Sequence, residues 1–233
     1  MKFLVLGHTG FVGKNLFQHL VENGHDVCAW SSEQCDLRDY EQVDTMMKKL
    51  DSLDAVFNCA ANVGSVHYVT AKAAEVISDN SYIALNLSNC CYADGTQIQD
   101  ENAWAEGSVH PSVFSFGNFK RVLYYVSKCY SMQYNIKSIN LMFSGIYGPG
   151  DSTDPNKVHA LNGMIIRMLG AIKEDAEEFE IWGTGKPIRE WIYIDDVCQI
   201  LLRSLDMEQI IEPVNVAQGE GFSIAETAEC IAN

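Results

Sequence analysis

The chain has 233 residues, 47% of them hydrophobic and 20% charged, enough for a globular core of one or two domains. Its 31 acidic residues against 16 basic ones give a formal charge of -15, which disfavours non-specific binding to nucleic acid or an anionic membrane but leaves room for a locally positive pocket. There is no run of eighteen apolar residues to span a membrane, and the eight scattered cysteines form no CxxC pair, so the composition points to a reduced, cytoplasmic protein with neither a disulfide scaffold nor a metal site.

"FLVLG" near the N-terminus reads as a buried strand that runs into a glycine turn, without the cleavage site of a signal peptide. Val12, Leu16, Leu20 and Val21 then predict a helix over 12–23. "HDVCAW" is a second strand, 39–50 a polar-faced helix and "DAVFNCAA" a third strand. Helices are predicted over 66–80 and 118–134, and "IKSINLMFSGIYGPG" is a strand that ends in a glycine-rich turn. A Met-, Ile- and Leu-rich helix follows over 159–172, and "FEIWGTGKPIREWIYIDDV" reads as strand, turn and strand leading into a helix. Such alternation predicts the α/β class: a Rossmann-like parallel sheet with helices on both faces, plus a smaller lobe interleaved with it.

The first turn, "GHTGFVG", places Gly7, Gly10 and Gly13 between strand and helix. In a dinucleotide site the first glycine makes the tight turn, the second lets backbone approach a pyrophosphate and the third lets helix pack closely on sheet. The helix N-terminus adds unpaired N–H groups. An ordinary turn rich in glycine is the alternative, but the position between a buried strand and a helix favours the dinucleotide. Residues 1–148 are therefore assigned mainly to dinucleotide binding. Residues 149–233 are assigned to the smaller substrate lobe, with sheet elements returning at roughly 190–217. The second strand ends in Ser31 and Ser32 with Glu33 slightly late. Two small hydroxyls leave room for a 2′-phosphate and lean towards NADP over NAD, although no arginine stands beside them. Asp36 in "CDLRD" is placed to reach an adenine edge or to cap the helix before Tyr40.

With "GHTGFVG", "CDLRD", "NCAANVG", "SNCCY", "IYGPGD" and "WGTGKPIREWIYIDDV" spread nearly end to end, the sequence resembles the extended short-chain dehydrogenases of the NAD-dependent epimerase/dehydratase family. Within them it looks most like the GDP-L-fucose synthase branch of nucleotide-sugar epimerase-reductases. The resemblance implies cofactor contacts from Thr9, Phe11, Val12, Leu37, Ala60 and Ala61 besides the glycines, Ser31 and Asp36. It implies an active-site serine at Ser88, four before Tyr92, and an epimerising cysteine at Cys90. It also implies an acid-base histidine at His159, and substrate contacts from Val63, Arg167, Trp182 and Arg189. A nucleotide-diphosphate sugar, possibly GDP-linked, is the implied substrate and a homodimer the implied assembly.

Each of these residues has a plainer reading. Ser88 at a strand end serves equally as a turn cap, and Cys90 with Cys91 as small buried hydrophobes. His159 flanks a helix, and Arg189 suits a solvated salt bridge as well as a diphosphate. Asp195 and Asp196 open a helix and are read as its caps. An acid and a base on opposite sides of a sugar ring suit epimerisation beside a ketone.

The resemblance also implies a tyrosine–lysine pair spaced i, i+4, in which the cation depresses a phenol pKa that is otherwise near 10. Tyr124 and Lys128 fit by pattern, but Lys120 lies 27 residues before Tyr147 in the "YGP" turn, as the branch has it, and Lys128 only 19. The two pairs differ by about 12 Å and roughly 80° along one helix, so they cannot serve the same nicotinamide. Lys120 and Phe116 are assigned to the family positions. Phe116 cannot exchange a proton. Three explanations stay open: an engineered variant, a natural enzyme in which His159, Cys90 or water has taken over, or a catalytically silent cofactor-binding descendant. A 4-epimerase or a 4,6-dehydratase on the same fold is a further alternative.

Two lengths depart from the branch. The closing part of the substrate lobe is expected to be absent. "DNSYIALNL" resembles the middle of a helix, and roughly twenty residues, including a central strand, are expected and not found between Leu87 and Ser88, so a break in the chain is anticipated there; "YIALNL" as a short strand is the alternative.

Overall fold

The computed structural model describes residues 1–94, 98–100, 111–154, 157–176, 178–207 and 213–232, with backbone only at 88–94, 98–100 and 112. Five strands follow in order: β1 (Lys2–Leu6), β2 (Asp26–Trp30), β3 (Ala55–Asn58), β4 (Ile98–Asp100) and β5 (Ser138–Phe143). With β9 (Val214–Val216), these form a six-stranded sheet ordered β2-β1-β3-β4-β5-β9, in which every pairing is parallel. The connecting helices are α1 (Phe11–Glu22), α2 (Tyr40–Met47), α3 (Val66–Ala71), α4 (Ala73–Asp94) and α5 (Phe114–Tyr134).

The period of two in β1 explains the three layers. Phe3 and Val5 face one side, where they pack with Leu16 and Leu20 of α1 and with Val197 and Leu201 of α7 (Ile194–Arg203). Leu4 and Leu6 face the other, with Val43 and Met47 of α2 and Ile83 and Leu87 of α4. All four β1 side chains are fully buried, as expected of a central strand in a parallel sheet covered on both faces.

Outside that sheet, β6 (Gly145–Tyr147) pairs in parallel with β8 (Trp191–Tyr193) and packs Ile146 and Ile192 into the α1 and α7 side of the core, while β7 (Ile188–Arg189) pairs antiparallel with β10 (Phe222–Ser223). Helices α6 (Ala160–Lys173) and α8 (Ile224–Ala232) meet over Met164, Met168 and Ala228, with Phe179 and Ile181 against them.

Several expectations are corrected. The helix predicted over 66–80 is two helices, α3 and α4. The stretch at 179–182 is not a strand, and the lobe's strands there are β7 and β8. "YIALNL" is helical, and α4 runs unbroken through Leu87 and Ser88, so Ser88 and Cys90 lie on a helix rather than at a strand end. The side chains of Ser88 and Cys90 lie outside the described residues. The place between β3 and β5 is taken by Ile98–Asp100, with Val56 beside Ile98 and Ile98 beside Ser138. The physical reason is local: residues 73–94 hold no glycine or proline, and Ile83 and Leu87, one helical turn apart, both bury against the sheet.

Candidate functional site

Two adjoining cavities lie at the C-terminal ends of β1 and β3, where neighbouring connections leave to opposite sides of the sheet. The first has a volume of about 330 Å³ and the second about 450 Å³. They share Gly10, Cys59, Ala60 and Ala61, so together they form one trench.

The glycine turn shapes the shared middle. Gly10 N–H donates to the Gly7 carbonyl at 2.9 Å, and Cys59 N–H donates to Leu6 at 3.0 Å, which draws the β3 end against the turn. A Cβ on Gly13 would overlap the Gly7 carbonyl oxygen, so α1 can pack this closely on β1 only without a side chain there. Gly10 caps α1 with no side-chain hydrogen bond, which leaves the helix N-terminus without a competing oxygen. A Cβ on Gly10 would meet only the Gly7 oxygen, at 3.3 Å, and otherwise open space. An uncapped helix start, an open glycine and a long trench fit a dinucleotide.

Thr9, Asp36, Leu37, Ala60 and Ala61 line the first cavity, together with Ser32, Arg38, Asn62 and Asp79. Of the two serines after β2, Ser32 and not Ser31 lines this cavity. The helix cap is Asp39, which accepts from Glu41 and Gln42 N–H, and Asp36 instead binds Arg38. Arg38 Nη2 lies 2.7 Å from one Asp36 oxygen and Nη1 3.3 Å from Asp79. The Arg38 side-chain hydrogen bonds hold the Asp36 carboxyl below its usual range, and the Asp36 and Asp79 carboxylates push Arg38 further up. Asp79 also accepts from Asn62 Nδ2 at 2.9 Å, and the buried Asn80 side chain binds both backbone groups of Asn62. Sequence reading missed this network. Arg38 and Asp79 are 41 positions apart, and only the close approach of α4 brings them together.

The second cavity is lined by Phe11, Val12, Val63, Phe116, Lys120, Ser144 and His159 among others. Lys120 Nζ lies over the Phe116 ring, 5.4 Å from its centroid. Tyr124 and Lys128 line neither cavity. Tyr124 is buried, and Lys128 Nζ donates to its hydroxyl at 2.9 Å within α5. Ser144 was also missed: its Oγ is buried and finds no hydrogen-bond partner among the described residues.

His159 begins α6 without a side-chain cap, and its Nδ1 lies 2.9 Å from Asp151 Oδ1. Burial raises the Asp151 carboxyl, but hydrogen bonds from Asn162 and His159 outweigh it and leave the group below its ordinary value. Three expected substrate residues lie elsewhere. Arg167 stacks 4.4 Å from Trp182 and 5.0 Å from Phe179, and donates to the Glu180 carbonyl. Arg189, on exposed β7, donates to the Ile188 carbonyl, and none of the three lines either cavity. Asp195 and Asp196 sit in the first turn of α7, which is capped by Tyr193 with no side-chain bond, so they act on the helix dipole rather than as caps.

Among the described residues no helix is long and apolar enough to cross a membrane. The sequence profile of the NAD dependent epimerase/dehydratase family matches residues 3–97 and 87–217. The probable GDP-L-fucose synthase 1 of Oryza sativa subsp. japonica is 28% identical over 249 aligned positions, which cover 99% of this chain and 76% of that protein. The GDP-L-fucose synthase of Dictyostelium discoideum is 28% identical over 250 positions, covering 98% and 78%. Both alignments exceed the 233 residues of the chain, so these relatives carry segments that it lacks. Among solved structures, a GDP-L-fucose synthetase from Naegleria fowleri bound to NADP superposes with a TM-score of 0.86 at 23% identity, covering 99% of this chain and 76% of that one. A UDP-glucose 4-epimerase from Thermotoga maritima superposes at 0.85 with 21% identity, covering 99% and 81%.

Proposed function

This chain belongs to the NAD dependent epimerase/dehydratase family, and we propose that it is an NAD(P)-dependent enzyme of nucleotide-diphosphate sugars, acting as epimerase, 4-keto reductase or both. The observation that carries this reading is the meeting of Lys120, His159 and Ser144 around one cavity that continues into the dinucleotide trench. When bound, the reduced nicotinamide supplies a hydride. The chain's own groups do the rest. Lys120 is a cation for ribose hydroxyls, and His159 exchanges a proton with the sugar carbon beside the ketone. Ser144 offers a hydroxyl to a sugar oxygen. Ser88 and Cys90, both on α4, are the further members proposed for the catalytic set, while Arg167, Trp182 and Arg189 line neither cavity and are given no part in it.

Phe116 supports a second reading, a chain that keeps cofactor without turnover, because a phenyl ring cannot donate to the sugar oxygen. The test is to incubate the protein with NADPH or NADH and a GDP-linked 4-keto-6-deoxy sugar, following the sugar by NMR and the cofactor by fluorescence. Reduced or epimerised sugar supports the enzyme. Cofactor binding without product supports the silent reading. Loss of both overturns the family activity for this chain.

For the cofactor, NADP is preferred, with Arg38 and Ser32 about its 2′-phosphate. Replacing Arg38 with methionine leaves Asp36 and Asp79 uncompensated in the cavity. It is expected to weaken NADPH roughly tenfold or more, the worth of a charged hydrogen bond, and NADH much less. Equal losses for the two cofactors, read by fluorescence titration, would place the phosphate elsewhere.

The proposed setting is the cytoplasm and the proposed assembly a homodimer through α4 and α5. Val122, Tyr125 and Met132 form an exposed stripe on α5, beside exposed Tyr82 and Leu85 on α4.

A further inference from the structure

We infer that Asp151 is a positioning residue that fixes the proton of His159 on Nδ1 and so presents the Nε2 lone pair to the second cavity. The inference rests on the reading above, in which His159 exchanges a proton with the sugar.

Four donors surround the Asp151 carboxylate. Oδ1 accepts from Ser152 N–H at 2.8 Å and lies 2.9 Å from His159 Nδ1. Oδ2 accepts from His159 N–H at 3.1 Å and from Asn162 Nδ2 at 2.7 Å. The Asp151 side chain is only 4% exposed, while that of His159 is 54% exposed. A carboxylate held ionised by so many donors can only accept. The ring nitrogen facing it must therefore carry a proton. In the neutral ring the other nitrogen, Nε2, is then the base.

The ring's place is set as well as its tautomer. One side of His159 packs on the Phe11 ring at the start of α1, with centroids 5.6 Å apart. The same backbone that carries the ring donates to the same carboxylate, so the carboxylate fixes both the start of α6 and the side chain. From α5, Lys120 lines the same cavity as His159.

The test uses the whole, ligand-free chain. Long-range proton–nitrogen spectra of labelled protein, with His159 identified by its absence from the His159→Gln spectrum, report which nitrogen is protonated above the ring's titration. The expected result is Nδ1–H. In the Asp151→Ala variant, which removes the acceptor facing the ring, that preference is then expected to be lost, with Nε2–H appearing as a major form. A proton on Nε2 in the unaltered protein overturns the inference, and so does an unchanged Nδ1–H preference in a folded variant. If the variant does not fold, the tautomer of the unaltered chain decides alone. Neither measurement uses substrate. A chain without turnover but with Nδ1–H keeps this inference and loses the enzyme reading, and turnover with Nε2–H does the reverse.

Discussion

Replacing Phe116 with tyrosine is expected to raise hydride transfer to a 4-keto nucleotide sugar by roughly 10²- to 10⁴-fold, the usual worth of a positioned general acid. The Phe116 ring already borders the second cavity, and Lys120 Nζ already lies over its face. A phenol there gains a neighbouring cation, which favours phenolate and brings a group with a free pKa near 10 closer to neutrality. The ring packs against Phe119 but is only partly buried, so a hydroxyl that points into the cavity should change stability by less than about 1 kcal/mol. Two controls isolate the cause. Lys120→Met in the tyrosine background should remove most of the gain, while Tyr124→Phe should leave the rate unchanged, because the Tyr124 hydroxyl is tied to Lys128 inside α5. Single-turnover rates of the two forms decide the matter. An unaltered chain as fast as its tyrosine form would mean that His159, Cys90 or water already does the work. Two inert forms would leave cofactor binding as the function.

How much of this was legible in the sequence follows from the range of each interaction. The first β-α unit was legible because its signals are local: a continuous apolar run in β1, a helical period in α1 and three glycines at the turn. The assignment of Lys120 over Lys128 needed no contact either, but it did need the spacing to the "YGP" turn that the resemblance implies. The structure places Phe116 and Lys120 at the cavity on the same helix that hides Tyr124. What escaped is long-range or lacks a local marker. Arg38 was overlooked as a pocket residue because its neighbours across the cleft come from α4. Asn62 and Asn80 are ordinary in sequence and become a two-bond clasp only in the fold. The continuation of α4 through Ser88 was misjudged because family motifs were weighed over the residues themselves, which contain nothing that stops a helix.

The relation between α4 and the trench links fold to function. Asp79 and Asn80 hang from α4 and hold the loop after β3 through Asn62, whose side-chain oxygen also accepts from Tyr68 of α3 at 2.8 Å. That loop supplies Ala60, Ala61 and Val63 to the trench walls. The walls of the trench are thus set by side-chain hydrogen bonds rather than by the sheet alone, and a half-buried network of this kind, anchored on the buried Asn80, stiffens them.

Alanine at Gly7, Gly10 and Gly24 is expected to separate three roles of glycine, with the largest loss of stability at Gly7. Gly7 and Gly24 have nearly the same backbone, φ of 75° and 78°. A side chain costs roughly 1–2 kcal/mol in that region whatever surrounds it. At Gly24 a Cβ meets nothing within 4 Å, so that conformational cost is the whole effect. At Gly7 the Cβ would lie 2.6 Å from the Cys59 carbonyl carbon and oxygen and 2.7 Å from Ala60 N, all backbone that cannot swing aside. Forcing β3 away from the turn adds an overpacking cost of roughly 1–3 kcal/mol, for a total of about 2–5 kcal/mol. Gly10 is the opposite case. Its φ of -80° suits any residue and its Cβ would project into the trench, so Gly10→Ala should fold with little loss yet bind cofactor at least roughly tenfold more weakly, because the diphosphate can no longer approach the start of α1. Urea unfolding and cofactor titration on the three variants read the two effects apart. A Gly10→Ala protein that binds cofactor normally would show that the diphosphate does not sit on this turn. Equal destabilisation at Gly7 and Gly24 would show that backbone strain, not the contact with β3, is what glycine relieves there.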